Sequence, residues 1–205
     1  MRPQPGFEPH VTTYGTGPRR VLALHCTMGF GGAWTGLVRE MGDGVTFVAP
    51  DMPSHGRSAD WDEKSDFGDT VYTASLSVMD ATPMDVIGHS FGAVRGDTFE
   101  QDDPEVEASQ DAEAKPYVTA LAEGDKETAA RLFNRLWGEA RTKWDDLPER
   151  TRAAMARGIH VVPSQHGFLF DDTAEMLAPG SLDAVEAPTV IMRGEHAAPS
   201  IISIN

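Results

Sequence analysis

A chain of 205 residues is long enough for one sizeable core, and a formal net charge of −15 argues against nucleic acid or an anionic membrane surface as partner. The single cysteine, Cys26, excludes an internal disulfide, and no run approaches the length needed to span a bilayer. Residues 1–10 contain Pro3, Pro5 and Pro9 but no apolar export segment, so a cytoplasmic protein is expected.

Residues 11–14 are expected to form a short edge strand that ends at Gly15-Thr16-Gly17-Pro18. Residues 21–26, Val-Leu-Ala-Leu-His-Cys, are nearly all apolar, which suits a strand buried on both faces of a parallel sheet. It empties into a glycine-rich loop at 27–32. Residues 33–41 place Trp34, Leu37, Val38 and Met41 at spacings that predict a helix packing one face, stopped by Gly42-Asp43-Gly44. Residues 45–49 predict a second strand closed by Pro50, residues 66–81 a helix, and residues 84–87 a third strand.

Directly after that strand comes Gly88-His89-Ser90-Phe91-Gly92, a G-x-S-x-G run. Flanking glycines let the neighbouring backbone pass close by while the serine hydroxyl projects outward, so Ser90 is a candidate nucleophile. Strand, helix, strand, helix, strand is the pattern of a parallel α/β sheet, whose sites are built by loops leaving the carboxyl ends of strands. The loops beginning at His25, Asp51 and Ser90 are therefore expected to meet on one edge.

Three blocks, VLALHCTMG, DMPSHGRS and GHSFGA, resemble the α/β-hydrolase fold superfamily in content, order and separation. The resemblance implies an incomplete parallel-sheet α/β core with a helical lid insertion. Residues 1–95 would form the core with its nucleophile elbow, 96–186 an acidic linker and helical lid, and 187–205 a final core strand. It implies Ser90 as nucleophile of an acyl-enzyme, with oxyanion donors at the backbone N–H groups of Phe91 and Thr27. Cys26 stands where the family commonly has glycine. Carboxylic esters or related small acyl compounds are the implied substrates, with no metal and no organic cofactor.

Several neighbouring residues carry two readings. His25, Met28 and His89 lie beside the implied site as substrate contacts, while for His25 and His89 the favoured reading is a loop fixed by hydrogen bonds. Asp51 and His55 suggest acid–base or metal chemistry, but Gly56 and Arg57 suggest turn architecture. Cys26 reads as a small buried side chain rather than a reactive thiol.

After the elbow the pattern changes. Between Asp97 and Ala114 there are eight acidic residues and no basic one, so no buried strand can be drawn there and the family's next helix and strand are expected to be missing. Helices are predicted over 106–123, with a kink or break at Pro116, over 126–139, capped by Asp125, and from Pro148 to about 157. Phe133 and Trp137 belong to an apolar stripe that would be core or would line a substrate pocket.

Residues 188–193 predict a final strand, with residues 189–192 pairing beside residues 85–87. Glu195 and His196 are the nearest candidates for triad acid and base. The family histidine follows one more helix and strand, so the resemblance implies little turnover from a chain ending at Asn205; a non-catalytic binding or interaction protein is the alternative. Uncovered sheet surface is expected to promote self-association.

Overall fold

The computed structural model describes residues 2–93, 104–137, 143–170, 175, 178–192 and 194–195. The chain divides into two units, Met1–Arg95 with Arg157–Gln165, and Gly96–Ala156 with His166–Asn205.

The first unit is built on a four-stranded sheet. Its strands are β1 (Val11–Tyr14), β2 (Arg19–Leu24), β3 (Val45–Pro50) and β4 (Asp85–Gly88), in the order β1-β3-β2-β4. β2 pairs in parallel with both β3 and β4, while β1 runs antiparallel along β3. The apolar run of β2 is explained by this central place: Val21, Leu22, Ala23 and Leu24 are all buried. Phe47 of β3 is fully buried, and Trp34 packs at 6.5 Å from its ring, with Tyr14, Val38 and Ile87 closing the cluster.

The predicted helix over 33–41 forms as a 3-10 turn, Gly31–Trp34, followed by α1 (Thr35–Met41). Only Trp34 of its expected stripe is buried; Leu37 and Met41 are exposed. Asp66 caps α2 (Phe67–Ser77) by accepting the Asp69 N–H at 2.8 Å. This helix ends earlier than its composition predicts, because Asp80 turns its carboxylate onto the Thr82 N–H at 2.8 Å and offers a competing local structure.

In the second unit, α3 (Pro104–Ala122) and α4 (Lys126–Trp137) form a helical hairpin. Pro116 lies inside α3, which continues past it. Asp125 accepts the Thr128 N–H at 3.0 Å and caps α4. Ala129 and Ala130 are fully buried, and Tyr117 of α3 meets Phe133 of α4 edge to face at 5.4 Å. Pro148 opens α5 (Glu149–Gly158), accepting the Thr151 and Arg152 N–H groups.

One expectation is corrected. Residues 189–192 belong to no strand, and among the described residues β4 pairs only with β2. Val190, Ile191 and Met192 are 77–79% exposed. A β-branched run becomes a strand only where neighbouring backbone and side chains receive it, so the composition alone misleads here. Among the described residues no helix is long and apolar enough to cross a membrane.

Candidate active site

The turn after β4 is shaped by two close approaches. A Cβ on Gly88 would lie 2.2 Å from the Gly92 carbonyl oxygen, and one on Gly92 would lie 2.2 Å from that of Leu24. Only glycine fits either place, because both obstacles are backbone. The His89 N–H donates to Leu24 O at 3.1 Å, which fastens the turn to β2. Between the glycines, Ser90 has φ +53°, in the left-handed region that non-glycine residues rarely enter. Such backbone costs on the order of 1–3 kcal/mol and persists where the surroundings over-determine it. Ser90 is exposed, and its Oγ has no hydrogen-bond partner among the described residues. Phe91 points the other way: it is buried, its ring 5.8 Å from that of Phe67.

The loop leaving β2 is held by two buried imidazoles. His25 donates from Nδ1 to the Cys26 carbonyl at 2.8 Å and accepts the Met52 N–H at Nε2, at 2.9 Å. His55 donates from Nδ1 to Pro53 O at 2.8 Å and accepts the Met28 N–H at Nε2, at 3.1 Å. The carbonyl partners fix both tautomers. Burial pushes the His25 pKa down to about 4; burial, reinforced by the neighbouring His25, pushes that of His55 to about 3. Both rings are neutral at pH 7, with each nitrogen engaged by backbone, so neither offers a free nitrogen to a substrate. Cys26 is half-buried, and desolvation raises its thiol pKa, disfavouring the thiolate. Met28 adopts φ +65°, and the Thr27 hydroxyl donates to Gln165 Oε1 at 2.8 Å.

The segment after β3 serves as a brace. Asp51 accepts the Gly31 N–H at 2.6 Å and the Arg57 N–H at 2.9 Å, tying the two loops together. A Cβ on Gly56, at φ +49°, would fall 2.2 Å from that carboxylate. Ser54, at φ +63°, accepts the Trp61 N–H at 3.0 Å and meets His160 Nε2 at 3.2 Å. His160 in turn donates from Nδ1 to Arg157 O at 2.8 Å and stacks on Trp61. Arg157 spreads its guanidinium over Asp60 and the carbonyls of Gly56 and Ser58, at 2.7, 3.1 and 2.6 Å.

The loops after β2, β3 and β4 thus meet at one end of the sheet, with Ser90 and the Thr27 loop both fastened to the end of β2. His89 is exposed. Phe133 and Trp137 lie on α4 in the second unit, where Trp137 is 42% exposed, and Glu195 sits in an exposed turn of the same unit. His196 lies outside the described residues. Sequence reasoning missed Arg157, His160 and Gln165, whose partners lie 97–138 positions away in the chain and leave no local pattern.

The sequence profile of the alpha/beta hydrolase family matches residues 21–199. No curated protein gives a significant sequence match. Among solved structures, an alpha/beta hydrolase from Sphaerobacter thermophilus is 18% identical with TM-score 0.54, covering 87% of this chain and 77% of its own. An epoxide hydrolase from Vigna radiata is 16% identical with TM-score 0.51, covering 86% and 73%. A haloalkane dehalogenase from Agrobacterium tumefaciens is 15% identical with TM-score 0.53, covering 89% and 70%. At these identities the likeness is one of fold, whereas the profile spans most of the sequence. With the sheet, the glycine-clamped elbow and the profile in agreement, the chain belongs to the alpha/beta hydrolase family.

Proposed function

We propose that the chain is a serine hydrolase of small acyl compounds, carboxylic esters foremost, with slow turnover. The observation that carries this reading is the left-handed Ser90, clamped between two glycines at the end of β4 with its side chain exposed. Strained backbone at a projecting hydroxyl supports a role in chemistry. In the proposed step Ser90 Oγ attacks the acyl carbon and passes its proton to a base. The N–H groups of Phe91 and Thr27 receive the negative oxygen of the tetrahedral intermediate; on its collapse the bond to the alcohol oxygen breaks, the base returns the proton to the departing alcohol, and water then cleaves the acyl-enzyme to release the acid and restore Ser90.

Chemistry narrows the substrate class. Fold relatives include an epoxide hydrolase and a haloalkane dehalogenase, but attack by serine on the saturated carbon of either substrate type would leave an ether. An ether has no carbonyl for water to attack, so turnover would stop. An acyl group leaves a cleavable ester.

The slow rate follows from the imidazoles. His25, His55 and His160 have both ring nitrogens engaged elsewhere, so none of these three supplies the base that makes a serine hydroxyl a good nucleophile. Intact-mass analysis after exposure to a fluorophosphonate tests the reading. Slow labelling of the wild type, absent in Ser90→Ala, is expected. A folded wild type that stays unlabelled overturns the reading in favour of a binding protein.

A further inference from the structure

The proposed oxyanion loop carries a contact that this mechanism leaves unused. The Thr27 Oγ1–H donates to Gln165 Oε1 at 2.8 Å, linking the residue after Cys26 to one 138 positions later. Gln165 is 1% exposed, yet its Nε2 has no hydrogen-bond partner. The oxygen and nitrogen of one amide lie about 2.2 Å apart by covalent geometry, so this orphan donor sits beside Thr27.

A buried, half-satisfied amide is a poor choice for stability. An apolar side chain of similar length would fill the same space with no polar group unpaired, and such replacements are often neutral or stabilising. Packing therefore does not explain glutamine at this position, whereas the link to Thr27 does. The glutamine is itself firmly placed. It ends the 3-10 turn Pro163–Gln165, donating its N–H to Val162 O at 3.1 Å. Just before it, Ile159 and Val161 are fully buried, and Arg157 and His160 are bonded to the segment after β3. The other described loop contacts act on its backbone: His25 Nδ1 and the Gly29 N–H hold the Cys26 carbonyl, which shares a peptide plane with the Thr27 N–H, and the Met28 N–H donates to His55, whereas the Thr27 side chain is held by Gln165.

We propose that Gln165 is a positioning residue for acyl transfer: by anchoring the Thr27 side chain it holds in place the turn whose Thr27 N–H receives the oxyanion. The proposal rests on the serine-hydrolase reading above. A phosphonate oxygen occupies the same place as the oxyanion, so the rate of Ser90 phosphonylation reports on that N–H.

The test compares this rate in the wild type, Gln165→Met, Gln165→Glu, Thr27→Val and the double variant Gln165→Met with Thr27→Val, alongside urea unfolding of each. Gln165→Met is expected to slow labelling about tenfold or more while its urea midpoint stays unchanged or rises. Gln165→Glu, which keeps an oxygen for Thr27, is expected to lose less. Thr27→Val is expected to match Gln165→Met, and the double variant to be no slower than either single one, as for two ends of one link. Labelling of Gln165→Met at the wild-type rate, or additive losses in the double variant, overturns the positioning role and leaves the serine-hydrolase reading standing. A wild type that is folded but never labelled at Ser90 overturns both.

Discussion

The rings of His25 and His55 face each other with centroids 5.2 Å apart, tilted by 53°, and each is wired into backbone through both nitrogens. Protonating either ring would break an accepted hydrogen bond and place a charge in a buried site beside the other imidazole. This pair joins the loop after β2 to the segment after β3, so its charge state bears on the architecture around Ser90.

Acid should therefore weaken the fold well above the carboxylate range. Above pH 6.5 both rings are neutral in the folded and unfolded chain alike. As pH falls below 6.5 the unfolded chain binds protons that the folded one refuses until about 4 at His25 and about 3 at His55. The stability due to neutral burial is thus present above 6.5 and lost on the way down, by about 2 kcal/mol per ring at pH 5. Urea unfolding at pH 7, 6 and 5 should show a steady decline, and equal midpoints at pH 7 and 5 would contradict the paired neutral rings.

At the elbow, Gly92→Ala should be among the most damaging small substitutions in the chain. Its Cβ would meet the Leu24 carbonyl oxygen at 2.2 Å, and neither backbone can yield without parting β2 from the turn. A loss of about 3 kcal/mol or more, or failure to fold, is expected. Gly36→Ala provides the control: nothing lies within 4 Å of its added Cβ, and it sits in α1. That variant should be neutral or more stable by up to about 1 kcal/mol. Thermal melts of the two would settle the contrast.

Arg157→Ala removes three hydrogen bonds that hold the segment after β3. A destabilisation of about 1–3 kcal/mol is expected in urea. Arg157→Lys should recover only part of it, because an ammonium cannot spread over a carboxylate and two carbonyls as a planar fork does. Full recovery by lysine would show that charge alone matters there.

Self-association is expected from the apolar surface left open. Val190, Ile191 and Met192 are 77–79% exposed, and Val86 on the terminal strand β4 is 60% exposed. Sedimentation velocity across a wide concentration series should show reversible association that Ile191→Lys reduces. A wild type that sediments as a monomer throughout would count against it.

The first unit was largely legible from sequence because its signals are local. Val21 to Leu24 is an unbroken apolar run, Gly42 and Pro50 punctuate the chain, and Gly88 and Gly92 bracket Ser90 at a telling distance. The end of α2 was not legible, since Asp80 competes for the backbone from outside the helical period. Residues 189–192 misled for the opposite reason: their composition suits a strand, but a strand also needs a partner. The braces at Arg157, His160 and Gln165 escaped because a hydrogen bond to a residue a hundred positions away leaves no periodicity to read.

The bond between Thr27 and Gln165 also has a meaning during synthesis. On a ribosome adding about 5–20 residues per second, the threonine emerges on the order of ten seconds before its glutamine. β4 is complete only at Gly88, and from there until Gln165 is added β1 to β4 can assemble, yet the loop after β2 waits for a strut still to be translated. A nascent chain halted before residue 165 would thus carry β1 to β4 with the Thr27 side chain still without its strut.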